Sequence, residues 1–278
     1  MATSYGGGSR GWKRRAPSIT MGAAMAESPK AHFSDHFSVV AKGYAAHRPT
    51  YPEELLDFLA SACARRELAW DCGCGSGQLS VALASRFERV VATDASEKQL
   101  AAATPRPNVE YRRAGAEASG LEKESVDLCV AAQAAHWFDL ATYYAEVWRV
   151  SRLGGTIALV TYATPLIDEA VDRVIASFYW GPLDKHWPPE RRHTEDGYRS
   201  LTFPFLEIEA PKLEIRMDWS LAEFLGYLET WSAILAMQKA EGRERIEVFR
   251  ADLARAWGAE GTVKTVRWPI GMRVGRVG

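Results

Sequence analysis

The chain has 278 residues, 47% of them hydrophobic and 10 of them tryptophan, which is ample for one large domain carrying an insertion. Its 34 basic and 35 acidic residues leave a net charge of −1, which excludes an overall field for nucleic acid or an anionic membrane and favours a small-molecule partner. The cysteines Cys63, Cys72, Cys74 and Cys129 show neither metal spacing nor a disulfide framework, which points to a reducing compartment such as the cytoplasm. No apolar run approaches the roughly 18 residues that cross a bilayer.

Residues 1–26 carry Arg10, Lys13, Arg14 and Arg15 without an acidic residue, a composition that fits either an organelle transit segment or a disordered extension. Residues 1–30 are assigned to the extension and 31–278 to one domain. Phe33, Phe37, Val40 and Tyr44 step at helical spacing until Pro49 and Pro52 interrupt them. Tyr44 and Arg48 are read either as a lid over a ligand or as a core aromatic and a surface pair. Pro52, Glu53 and Glu54 then open a helix through Leu55, Leu56, Phe58 and Leu59.

The next stretch carries the chemistry. An apolar run ends at Asp71, Gly73, Gly75 and Gly77 follow at every second position, and Leu79, Val81 and Leu83 resume a helical pattern, giving a strand, a tight turn and a helix. A second apolar run, Val90-Val91-Ala92-Thr93, ends at Asp94, at the tip of the neighbouring strand. Glycines let a ligand approach the backbone and permit positive φ. An acid at the adjacent strand tip can accept both hydroxyls of a ribose. The spacing differs from that of dinucleotide binders, and no lysine follows the last glycine as a P-loop requires. The pair frames a nucleoside site, although such a turn also serves tight packing alone.

Ser96 caps a helix through Lys98 and Leu100 that Pro105 ends, and Val109 to Arg112 form a strand followed by Gly115, Ala116 and Glu117. Residues 125–131 are a buried strand leading to Gln133 and then Ala135-His136-Trp137-Phe138-Asp139. Tyr143, Val147 and Val150 mark a helix stopped by Gly154 and Gly155, and 156–161 are a further strand. Strand and helix alternate throughout, which predicts an α/β fold with a parallel sheet and a ligand at the strands' carboxyl ends. From 165 to 206 the rhythm fails, and Trp180, Trp187, Lys185, Arg191, Arg192 and His193 suggest an insertion on the substrate side. Strands over 211–218 and 262–274 enclose helices over 224–235 and 246–257.

The glycine turn with Asp71 resembles the S-adenosylmethionine loop of class I methyltransferases (methyltransferase type 11). Tyr44-x-x-x-Arg48-Pro49-x-Tyr51, the His136-Trp137-Phe138-Asp139 run, Gly155-Thr156-Ile157-Ala158 with Tyr162-Ala163, and Thr230-Trp231-Ser232-Ala233 are similar to the fungal-type trans-aconitate methyltransferases. The resemblance implies a Rossmann-like, seven-stranded, mostly parallel sheet with a reversed last strand, N-terminal lid helices and an insertion after the fifth strand. It implies methyl ester formation on a small carboxylic acid, with S-adenosyl-L-methionine as cofactor, S-adenosyl-L-homocysteine as product, no metal, and a monomer or homodimer. Tyr44 and Arg48 would cover the cofactor, Asp71, Gly73, Gly75 and Gly77 border its methionine part, Asp94 take the ribose, and Ala116 with Glu117 the adenine. Gln133 would face the sulfonium. Many relatives carry an Asp where this chain has Gly115, so the adenine amine would turn to backbone or to Glu117.

His136 and Trp137 are the candidate catalytic residues, and His136, Trp180, Arg191 and Trp231 the candidate substrate contacts. His136 has three readings: orienting an anion, serving as base for a hydroxyl, amine or quinone-precursor acceptor, or buttressing the strand end. A nicotinamide-dependent reductase and a non-catalytic binding module are the remaining alternatives.

Overall fold

The computed structural model describes residues 49–278. The expected helix over 33–46, Tyr44, Arg48 and the 1–30 extension lie outside the described residues. Helix α1 (Glu53–Ser61) leads to β1 (Leu68–Cys72), α2 (Gln78–Leu83), β2 (Arg89–Asp94), α3 (Glu97–Ala101), β3 (Val109–Arg113) and β4 (Val126–Ala132). Then come α4 (Leu140–Val150), β5 (Ser151–Tyr162), α5 (Glu169–Tyr179) and the short α6 (Arg192–Glu195). Strands β6 (Leu206–Glu207) and β7 (Glu214–Ser220), helices α7 (Leu221–Leu228), α8 (Ser232–Glu241) and α9 (Glu244–Trp257), and β8 (Val263–Arg276) complete the chain.

The strands lie in the order β3-β2-β1-β4-β5-β8-β6, with β7 pairing β8 beside this path. Strands β1 to β5 run parallel, and β8 is antiparallel to β5, so the expected reversed last strand is present. The chain leaves β1 in one direction and returns on its other side at β4, which makes the β1/β4 crevice the switch point where such sheets bind ligands. Burial explains the parallel arrangement. Along β4, Leu128 and Val130 pack with α1 and α2 residues such as Leu55 and Leu83, while Cys129 and Ala131 pack on the other face with Tyr143 and Val147 of α4. A strand covered on both faces has no polar side, which is why its sequence is a continuous apolar run.

Four elements depart from expectation. Helix α5 occupies a stretch expected to be irregular: Asp168 caps it by accepting from the Ala170 and Val171 amides, and Val171, Ile175 and Phe178 face the interior. The expected 224–235 helix is two helices, α7 and α8, because Trp231 is extended (φ −70, ψ 125) and turns its ring inward. The glycine stop at Gly154 (φ 73) is absorbed into the start of β5. The supposed insertion also divides. Helix α5 joins α7, α8, α9 and the β7/β8 ribbon in an aromatic-rich cluster with Trp219, Trp257 and Trp268, whereas Tyr198, Leu201, Phe203 and Phe205 belong to the sheet's own core.

Candidate functional site

At the carboxyl end of β1 the backbone folds back on β2. The amides of Gly73 and Cys74 both donate to the Thr93 carbonyl, at 2.8 and 3.0 Å, which locks the turn against the neighbouring strand. Gly73, Gly75 and Gly77 all have positive φ, at 70, 55 and 81°. Two of them are also forced by close approach. A Cβ on Gly73 would lie 2.6 Å from Ala134 Cβ, and one on Gly77 would collide with the Tyr111 hydroxyl. At Gly75 a Cβ would meet nothing nearer than Gln99 Oε1 at 3.9 Å, so the middle of the turn has open space where a ligand can lie against the backbone.

Asp94 stands beside this opening. Its Oδ2 accepts the Gly75 amide and its Oδ1 the Ser96 amide, both at 2.8 Å, so strand tip, glycine turn and the start of α3 converge on one carboxylate. A carboxylate has acceptor sites for about four bonds, and the two backbone donors fix its plane. Asp71, by contrast, is 1% exposed. Its Oδ2 accepts from Ser80 Oγ at 2.5 Å, while Oδ1 is buried without a partner among the described residues. Burial, with the Asp94 charge adding to it, pushes the Asp71 carboxyl up to about 7. An acid one donor short in a buried site is suited to a cationic ligand, which would restore its charge.

Ala116 and Glu117 follow β3. The Glu117 carboxylate folds back over Gly115 and fills the space a side chain there would take. Past β4, Gln133 is left-handed (φ 54), and its amide donates to the Tyr162 carbonyl at 2.9 Å and accepts from Thr161 Oγ1 at 2.8 Å. Both ends of that amide tie the tip of β4 to β5.

His136 lies in the short turn after β4, with Nδ1 2.8 Å from Tyr198 Oη and its ring 4.7 Å from Trp137. Burial, then the charges of Arg191 and His193, push its imidazole down to about 3, so it is neutral at physiological pH. Tyr198 is fully buried and left-handed (φ 66), an uncommon conformation for a bulky residue that here delivers the hydroxyl to His136.

Arg191 is half-buried, its guanidinium carbon 5.1 Å from the centre of the Trp187 ring, and it has no carboxylate partner among the described residues. Trp187 in turn packs on Tyr179 at 5.3 Å and Trp231 at 5.6 Å. The structure thus brings His136, Trp137, Arg191 and Trp231 into the region between the β4 tip and the aromatic cluster. It does not bring Trp180. That ring is 49% exposed with the Arg192 guanidinium over it, whereas Trp187 packs against Tyr179 and Trp231. Sequence reasoning missed Trp187, Tyr179, Tyr198 and Tyr111 as site residues. Gly197 beside Tyr198 was the one local sign of a constrained turn.

A model of the methyltransferase domain family matches residues 70–159, which hold the glycine turn, Asp94 and the β4 tip. A candidate methyltransferase of Dictyostelium discoideum is 34% identical over 229 residues, 81% of this chain and 87% of its own length. A candidate type II methyltransferase from Anaeromyxobacter dehalogenans, known as a solved structure, is 47% identical, superposes with a TM-score of 0.79, and is matched over 83% of this chain and 98% of that one. A candidate S-adenosylmethionine-dependent methyltransferase of Saccharomyces cerevisiae is 29% identical over 127 residues, 42% of this chain and 44% of its own. With the switch-point glycine turn and its paired acid, these likenesses place the chain in the methyltransferase family, as an enzyme dependent on S-adenosylmethionine.

Proposed function

We propose that the enzyme methylates the carboxylate of a small organic acid to give a methyl ester, the chemistry of the trans-aconitate methyltransferases it resembles. The observation that carries this reading is Arg191, a half-buried cation without a counter-ion among the described residues, close enough to the neutral His136 to depress its pKa. An unpaired cation in a partly buried site is costly unless an anion arrives to meet it. His136 held neutral adds no competing charge, and an imidazole pushed down to about 3 is a poor base for a hydroxyl or amine acceptor.

On this reading Asp94 takes the ribose hydroxyls, Gly73, Gly75 and Gly77 admit the cofactor to the backbone, Asp71 faces its amino-acid end, and Ala116 with Glu117 lies at the adenine. When bound, S-adenosylmethionine supplies an electrophilic methyl group. The acceptor acid is already ionised, so the chain's task is to orient it and exclude water, which Trp137 and Trp231 serve. Free thiols at all four cysteines fit a reducing compartment such as the cytoplasm. Among the described residues no helix is long and apolar enough to cross a membrane.

The test is transfer of label from methyl-tritiated S-adenosylmethionine to a panel of mono-, di- and tricarboxylates, counting base-labile methyl. Release by mild base supports an ester, and base-stable label on a hydroxyl or amine compound overturns it. In the same assay His136→Gln raises the KM for the acid about 10-fold with kcat little changed. Loss of kcat at unchanged KM would make His136 the base instead.

A further inference from the structure

Two buried tyrosines of the sheet core use their hydroxyls differently. Tyr144 donates to the Thr202 carbonyl at 2.7 Å, the ordinary way to satisfy a buried phenol. Tyr198 meets a side chain instead. Its Oη lies 2.8 Å from His136 Nδ1, and burial pushes its hydroxyl up, so the proton stays on the oxygen. Thr161 Oγ1 and the amides of Ala135 and His136 also border that oxygen. The two amides can only donate to it, and the Thr161 proton is committed to Gln133 Oε1 at 2.8 Å. The acceptor in hydrogen-bonding geometry for the phenol proton is Nδ1.

An imidazole nitrogen that accepts carries no proton, so in the neutral ring the proton sits on Nε2. Among the described residues Nε2 has no hydrogen-bond partner. The turn that holds His136, Ala135–Trp137, packs against Pro189–Arg191, so the imidazole and the Arg191 guanidinium border one region. The backbone is committed to placing Tyr198. Gly197 and Tyr198 are both left-handed, at φ 69 and 66°, and the Tyr198 amide donates to the His193 carbonyl at 2.8 Å. Gly271 of β8 lets this turn approach the sheet, since a Cβ there would lie 2.5 Å from Gly197 Cα. A bulky residue is held left-handed only where its surroundings over-determine it, and such positions cluster at functional sites.

Resting on the methyl-ester reading, we propose that Tyr198 is a positioning residue: its hydroxyl donates to His136 Nδ1, fixes the ring as the Nε2–H tautomer, and makes it a hydrogen-bond donor to the acceptor carboxylate beside Arg191. A base would need the opposite arrangement, with a free lone pair facing the acceptor.

Nitrogen magnetic resonance of the full chain, labelled at its histidine rings, reads the tautomer, and the His136→Gln spectrum identifies the signal among the six histidines. The parent is expected to show Nε2–H, with the Nδ1 resonance displaced by its hydrogen bond. Tyr198→Phe keeps the ring and is expected to lose that displacement. With the carboxylate of the panel that accepts methyl best, Tyr198→Phe is expected to raise KM about 3- to 10-fold and to leave kcat within about 2-fold. In a His136→Gln background the same change is expected to move KM by less than about 2-fold, because it acts through the imidazole. Unchanged S-adenosylhomocysteine affinity reports that each variant is folded. An Nδ1–H tautomer in the parent, an unchanged KM in Tyr198→Phe, or an equal rise in both backgrounds overturns the proposal. Nε2–H held by Tyr198, with no base-labile methyl on any acid, would support the positioning role and overturn the ester reading.

Discussion

The two halves of the site are built from different materials. Around the glycine turn the working atoms are backbone amides and one carboxylate: Gly73 and Cys74 bond to Thr93, and Gly75 and Ser96 to Asp94. Around Arg191 they are side chains, with Tyr179, Trp187 and Trp231 contributed by α5, the loop after it, and the start of α8. The first arrangement accepts a ligand of fixed shape, because backbone geometry leaves little to vary. The second can be retuned by exchanging one ring or one charge, which would suit the half proposed to meet the acceptor. The comparison yields an ordered set of tests, beginning where the backbone half should fail hardest.

Asp94→Ala removes a carboxylate on which two elements converge, and with it both oxygens that the proposed reading gives to a ribose. Two charge-assisted hydrogen bonds predict a loss of S-adenosylhomocysteine affinity of about 100-fold or more, with far-ultraviolet circular dichroism unchanged. Unchanged affinity would refute the ribose role and make the glycine turn a packing device.

How much of this was open to the sequence follows the same division. The glycine turn and Asp94 were legible because their contacts are local: a strand, a turn and the next strand tip within about two dozen residues. Helix α3 was likewise legible from its Ser96 cap and Pro105. The aromatic half was not. His136 meets Tyr198 across 62 positions, and no spacing rule links them. Neighbouring tryptophans are equivalent on composition, yet Trp180 faces solvent and Trp187 the interior, a difference made by the turn after α5. The break between α7 and α8 falls at Thr230-Trp231 with neither Gly nor Pro, so only the tertiary packing of Trp231 explains it.

A smaller effect separates the two acids of the cofactor half. Asp71 has its carboxyl raised from 3.8 to about 7 by burial, so the folded chain holds its proton more tightly than the unfolded one. Its contribution to stability is full below pH 3.8 and is lost as pH rises through 7, at most on the order of 4 kcal/mol. His136 runs the opposite way: lowered from 6.5 to about 3, its contribution is full above pH 6.5 and is lost as pH falls through 3. Asp71→Asn keeps an acceptor for Ser80 but does not ionise. Its melting temperature relative to the parent, without cofactor, should therefore rise between pH 4 and 8, while S-adenosylmethionine affinity falls. A pH-independent difference would show that Asp71 is ionised in the folded chain throughout.

The smallest expected effect sharpens the aromatic half. Trp180 is 49% exposed, touches Tyr179 edge-on at 4.9 Å, and carries the Arg192 guanidinium 5.5 Å from its ring centre. Exposed cation–π pairs contribute about 0.5–1 kcal/mol, so Trp180→Ala should cost about 1 kcal/mol of stability. It should leave the KM for the acid within about 2-fold, because the ring is outside the triangle of Tyr179, Trp187 and Trp231. Trp231→Phe, at a position 7% exposed, should by contrast disturb both stability and KM. If Trp180→Ala instead raises KM about 10-fold, the acceptor extends past Tyr179 to the outer ring. The recognition surface would then run from Arg191 out to Arg192, a second cation within reach of the acid.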